Sequence, residues 1–191
     1  METDLSKTPP SPPTIFDRKV VALSLALILA SAGTLLACLA AKPKVSPLFA
    51  AVESRKPERL AALLRTYGGE IDQKYFGRTP LFLAVINDRA DMAEMLLGAG
   101  ANVNARDAYG NTPLHVAVFC HRSNVVSMLL ERGAGVNLCN RFGYTPLHVG
   151  AFVGAPQIIM QMLISHGADQ SARDDWDRTA SELAPNTRRF P

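Results

Sequence analysis

Apolar and polar positions along this chain fall into two regimes. From Val20 to Ala41 the sequence VVALSLALILASAGTLLACLAA runs without a charge and without a polar face. From Ser46 onward short apolar clusters alternate with polar breaks, and the alternation is periodic. Ser46-Pro47-Leu48-Phe49 returns as Thr79-Pro80-Leu81-Phe82, Thr112-Pro113-Leu114-His115 and Thr145-Pro146-Leu147-His148, each step being 33 residues. A weaker copy, Thr179 to Ala184, follows after 34. A second phrase keeps the same beat: Gly68-Gly69-Glu70-Ile71-Asp72, Gly100-Ala101-Asn102-Val103-Asn104, Gly133-Ala134-Gly135-Val136-Asn137 and Gly167-Ala168-Asp169. Self-similarity of this kind decides the fold reading before local propensity does.

Each phrase predicts an element. Threonine followed by proline starts a helix: the hydroxyl caps free N–H groups, and proline at the first position lacks only an N–H that would be unpaired anyway. Leu83-Ala84 and Val116-Ala117 face inward, where small alanines let helices approach. After a polar break (Asn87 to Arg89, His121 to Ser123) a second apolar helix follows, at Met92 to Leu97, Val125 to Leu130 and Ile158 to Ile164. Glycines 100, 133 and 167 close it in the left-handed conformation. Residues from Asn104 through Asp107 and Gly110 then turn the chain back as a finger.

A 33-residue unit with Thr-Pro-Leu-His, a helix pair and Gly-Ala-x-Val-Asn resembles the ankyrin repeat. The resemblance covers residues 46–184 and implies an all-α solenoid of four helix-pair repeats plus a capping helix, used for binding other proteins. Phe49 and Phe82 replace the histidine in the first two units. Unit one has one residue more in its helical half and one fewer in its finger, and unit four gains one between Gly154 and Gly167. The last unit places Asp177 where glycine is expected and stops at Pro185. A lone helix there fits a terminal repeat with no neighbour on one side.

The amino-terminal regime allows three readings. At 1.5 Å per residue, Val20–Ala41 makes roughly 33 Å of helix, enough to cross a hydrocarbon core of about 30 Å. Arg18 and Lys19 flank it on one side, Lys42 and Lys44 on the other. Leu35-Leu36-Ala37-Cys38 also resembles a bacterial lipobox with Cys38 lipidated, and Ala30-Ser31-Ala32 has the small-x-small pattern of signal cleavage. The basic residues after the span lean toward a cytoplasmic carboxyl domain, whereas a signal reading puts that domain outside. Residues 1–19, with Pro9 to Pro13, are expected to be a disordered tail, and 185–191 a flexible one.

Composition narrows the function. With 48% hydrophobic and 19% charged residues the chain cannot be disordered throughout, and its three cysteines cannot build a disulfide mini-protein. Mean hydropathy of +0.07 reflects the one apolar segment. Arginine outnumbers lysine 14 to 6, which with the signal-like start points to a bacterial source. Net charge is +3, and 17 cations against 14 acids in residues 42–191 are spread among the units. No nucleic-acid partner is expected from so small an excess.

Catalytic and metal chemistry find no constellation. His115 and His148 belong to the repeated phrase, one per unit and about 10 Å apart, too far to share a zinc ion. His121 and His166 fall at helix ends. Gly98-Ala99-Gly100 follows a helix, not a strand, and is no dinucleotide loop. Asp174, Asp175 and Asp177 read as a solvated finger. Cys120 and Cys139 fall at opposite ends of their units, beyond disulfide reach, and read as free thiols. No enzyme activity, cofactor, metal or small-molecule substrate is expected.

The resemblance implies partner contact through finger tips and first helices. That assigns Phe76, Tyr109, Phe142 and Trp176 to one finger row, with Arg78, Asn111, Arg141, Tyr144, Arg173 and Arg178 beside it and Phe119 and Phe152 on first helices. With Tyr75, which also adjoins the row, eight of the 13 aromatics lie at such positions, and aromatics with arginine form interface hot spots. The expectation is a non-catalytic, membrane-tethered module binding a protein partner of unknown identity. Its alternative is a periplasmic or outer-membrane lipoprotein that inhibits or protects one enzyme.

Overall fold

The computed structural model describes residues 46–184, and all its regular elements are helices. They are α1 (Pro47–Glu53), α2 (Pro57–Leu64), α3 (Pro80–Ile86), α4 (Ala90–Gly98), α5 (Pro113–Phe119), α6 (Ser123–Glu131), α7 (Pro146–Val153), α8 (Gln157–Ser165) and α9 (Ala180–Leu183). Among the described residues none is long and apolar enough to cross a membrane. The segment 20–41, Cys38 and the two tails, 1–19 and 185–191, lie outside the described residues.

The helices form two rows. α1, α3, α5, α7 and α9 pack side by side, α2, α4, α6 and α8 form the second row, and each first-row helix up to α7 packs on its successor. This is the expected four pairs plus a cap. Proline occupies the first helical turn of α1, α2, α3, α5 and α7. The leucine after it, at 48, 81, 114 and 147, is buried in every unit. Removing such a side chain from water stabilises by about 1.5–3 kcal/mol, so each junction between repeats is apolar at its centre. Ala51, Ala84 and Ala117 are fully buried one turn on. Gly150 takes that register in α7, where a Cβ would stand 2.5 Å from the Met160 sulfur; the lost methyl makes room for a larger side chain on α8.

Two left-handed registers close the helices of the repeats. Gly100, Gly133 and Gly167 have φ of 96°, 80° and 86°, and the residue after each returns a bond into the helix, such as Ala134 N–H to Leu129 O at 2.9 Å. The second register closes the first-row helices: Arg55, Asp88, His121 and Gly154, 33 residues apart, with φ of 54°, 57°, 57° and 65°. Unit one departs at its end. Gly68 and Gly69 have no left-handed φ, and past α2 Thr66 N–H bonds Leu63 O instead. At the opposite end α9 covers α7, but no second-row helix follows α8 among the described residues, so Ile158 stays 51% exposed.

The repeated histidines tie helix start to finger. Backbone N–H of Thr112 donates to His115 Nδ1 at 3.1 Å, and the ring's other nitrogen bonds Tyr144 O at 2.8 Å. Because Nδ1 accepts, the proton sits on Nε2, which donates to the carbonyl. His148 repeats this with Thr145 N–H at 3.3 Å and Arg178 O at 3.1 Å. In the cap Glu182 accepts from Thr179 N–H at 2.7 Å. Phe82 offers no such nitrogen, and the buried Thr79 hydroxyl has no partner.

Candidate functional site

Four fingers project between the repeats, built around residues 74–78, 107–111, 140–144 and 174–178. Three share one design. Asp107 Oδ1 accepts the N–H groups of Tyr109 and Asn111, both at 2.8 Å. Asn140 Oδ1 does the same for Phe142 and Tyr144, and Asp174 Oδ1 for Trp176 and Arg178. A short side chain that accepts two successive N–H groups sets a tight turn. The position it needs a left-handed residue for is filled by Gly110, Gly143 and Asp177, the last at φ 59°. Aspartate tolerates that region better than most side chains, so the expected glycine is replaced without loss of the turn.

The first finger is built differently. Lys74 stands where the others have Asp or Asn, and Tyr75 and Arg78 instead exchange backbone bonds at 2.8 and 3.1 Å. Phe76 and Gly77 between them have φ of 49° and 75°, the signature of the hairpin turn with two left-handed centres. Phe76 is thereby thrust outward, 60% exposed.

Fingers two to four are bonded into one another. Arg141 N–H donates to Tyr109 O at 3.0 Å and Asp175 N–H to Phe142 O at 3.4 Å. Asn140 Nδ2 donates to Asn111 Oδ1 at 2.9 Å, Arg106 to Cys139 O at 2.7 Å, and Arg178 to the Tyr144 hydroxyl at 2.9 Å. Glycine is required twice over at Gly143, where a Cβ would lie 2.6 Å from Asp175 N. Among the described residues the first finger makes no hydrogen bond to the second; Gly77 only abuts Ala108.

The twelve candidate residues divide by burial. Phe76 and Tyr109 are exposed, the latter at 37%, and so are Arg141 and Arg173. Arg78, Phe119, Phe142, Phe152, Trp176 and Arg178 are half-buried. Asn111 and Tyr144, expected at the surface, are buried at 2% and 3%. The reason is their register. Asn111 bridges Asp107 Oδ2 to Asn140, and the Tyr144 ring stacks on His148 and packs against Phe142, Phe152 and Trp176. They order the row rather than offer a side chain to a partner. Arg173 is partly engaged with Asp177, while Arg178 lies 5.0 Å over the Trp176 ring. Burial opposes its charge, but the bonds to Asp174 and Tyr144 hold the guanidinium above its ordinary pKa.

The remaining chemistry is structural. Burial drives the His115 pKa down to about 4, so the ring is neutral and fixed. Asp174 is enclosed by its finger and paired with Arg178 at 2.8 Å, not presented to a cation. No cluster of three metal-ligating side chains occurs among the described residues. Cys120 and Cys139 are free, the first half-buried and shifted upward by that burial. One set of polar ties escapes the sequence reading: Asp72, Asn104 and Asn137 each accept an N–H of the next repeat, from Asn102, Gly135 and Asp169 at 2.8–3.0 Å. The recurrence of the phrase was visible in the sequence, but the receiving N–H lies some thirty residues on and cannot be read from it.

Comparison with known proteins agrees with this architecture. No curated protein matches the chain. A family model described as ankyrin repeats matches in three overlapping copies, at residues 26–107, 48–140 and 100–174, the first of which begins inside the apolar stretch. Two rows of paired helices, a 33-residue period and that match together place the chain in the ankyrin-repeat family.

Proposed function

We propose that this chain is a membrane-tethered binding module that holds a protein partner against its fingers and first-row helices and performs no turnover. Ankyrin repeats generally mediate protein–protein interaction. The observation that carries the reading is the finger row: Phe76, Tyr109, Phe142 and Trp176 recur once per repeat beside arginines, with Phe76 and Tyr109 exposed. Exposed aromatics in register with arginine are the composition of an interface centre. The tether rests on the uncharged run from Val20 to Ala41 and its basic flanks.

Site-specific photocrosslinking in cells tests the binding role. A crosslinker at Phe76 or Phe142 is expected to give discrete protein adducts, and one at Glu94 or Ser127 on the second row is expected to give none. Arg141→Ala with Phe142→Ala should abolish the adducts at Phe76 while leaving the melting temperature nearly unchanged. Equal adducts on both rows, or none at the fingers, would overturn the assignment. For the tether, the chain should stay in the membrane pellet after alkaline washing and leave it when residues 20–41 are deleted. A band shortened by residues 1–37 would replace the membrane helix with lipidation at Cys38 and move the partner beyond the inner membrane.

A further inference from the structure

In the last finger Arg178 finds its carboxylate four residues back. Its Nε and Nη2 reach Asp174 Oδ2 at 2.9 and 2.8 Å. In the first finger the same register sets Arg78 four residues after Lys74. A cation stands where the pairing anion would be. The neighbouring carboxylate that acts on Arg78 is Asp107. Its oxygens are already held by the N–H groups of Tyr109 and Asn111 and by Asn111 Nδ2.

Among the described residues the Arg78 side chain makes no hydrogen bond or ion pair, and its Nη2 is sealed from water without a partner. A half-buried guanidinium that has lost part of its hydration and gained nothing in return is costly. Burial accordingly lowers its pKa, against the pull of Asp107. Around it, fingers one to three carry Lys74, Arg78 and Arg141 against one acid, the buried Asp107, with Asp72 and Arg106 just before the first and second.

We infer that the first finger receives a carboxylate from an acidic, apolar segment of the protein partner, with Arg78 as its ligand and Phe76 and Tyr109 contacting the flanking apolar side chains. The inference deepens the binding role proposed above and rests on it. With Nη2 sealed, the two nitrogens of Arg78 that are not, Nε and Nη1, each offer a charge-assisted bond to a carboxylate oxygen. A phosphate chain would also satisfy Arg78, but tracking one needs cations in file. Arg106 is engaged by the carbonyls of Gly110 and Cys139, and the last finger presents the exposed Asp175 and Asp177.

The test uses the full chain in detergent and three pooled peptide libraries of random apolar residues interleaved with Glu, Gln or Lys, beside single-stranded oligo-dT. The Glu library should be retained about tenfold more than the Gln library, and the Lys library least. Arg78→Gln should erase the Glu preference. Lys74→Asp should erase it too, while raising the melting temperature, because the chain then supplies its own carboxylate. Melting of both variants shows that they are folded. Equal retention of Glu and Gln libraries, a preference that survives Lys74→Asp, or stronger retention of oligo-dT would overturn the inference. Finger adducts in the crosslinking experiment without a Glu preference would leave the binding role standing and remove only the carboxylate site; absence of adducts would remove both.

Discussion

Single residues in this array differ in how many demands they meet. Gly133 meets one: its φ is 80°, and nothing lies within 4 Å of a Cβ placed there. Gly143 meets two, with φ 70° and the backbone of Asp175 in the way. Gly133→Ala is therefore expected to lower stability by about 1 kcal/mol, the cost of the left-handed conformation alone. Gly143→Ala should cost clearly more, since the last finger must also shift. Denaturant midpoints of the two variants measure the difference; equal losses would mean that the finger yields freely. The glycines were legible in the sequence because a repeat puts them in register. The left-handed Asp88 and His121 were not, since both residue types admit such a backbone but neither requires it.

At the scale of the element, helix starts are held by histidine. His115 is neutral in the fold at pH values where an unfolded imidazole begins to protonate. Between the ordinary value of 6.5 and about 4, the unfolded chain binds the extra proton, so stability rises with pH across that window. The contribution is complete above pH 6.5 and is lost progressively as pH falls toward 4, amounting to about 3 kcal/mol. His115→Phe, the residue found at Phe82, should remove this slope. It should also lower stability at pH 7 by about 1–3 kcal/mol, because Thr112 loses its ring partner. Chemical denaturation at a series of pH values checks both, and a slope that persists in the variant would assign it elsewhere. The helix pairs themselves followed from Thr-Pro and glycine punctuation. That Asn111 and Tyr144 both turn inward did not, because their burial depends on side chains 29 to 34 residues away.

Across the described repeats the fingers are unevenly joined. Fingers two to four share backbone and side-chain bonds, and the histidine ties serve only units three and four. The first finger has neither, although Asp72 still accepts Asn102 N–H and Phe49 packs on Tyr75 with ring centroids 5.5 Å apart. Repeat arrays open where neighbour coupling is weakest. Backbone amides of α1 and of Tyr75–Arg78 are therefore expected to exchange faster with solvent than those of α5 and α7. Uniform protection from α1 to α7 would contradict this gradient.

On the binding role proposed above, the seam beside the first finger would also set how the array measures a partner. From the second finger onward the spacing of Tyr109, Phe142 and Trp176 is locked by bonds, so these three act as a comb of fixed pitch. Across the gap before them the finger tips share no hydrogen bond, and the nearest tie is that of Asn102 N–H to Asp72. A partner would then have to match three teeth closely, while sequence changes in it at the first finger would be taken up by that one hairpin.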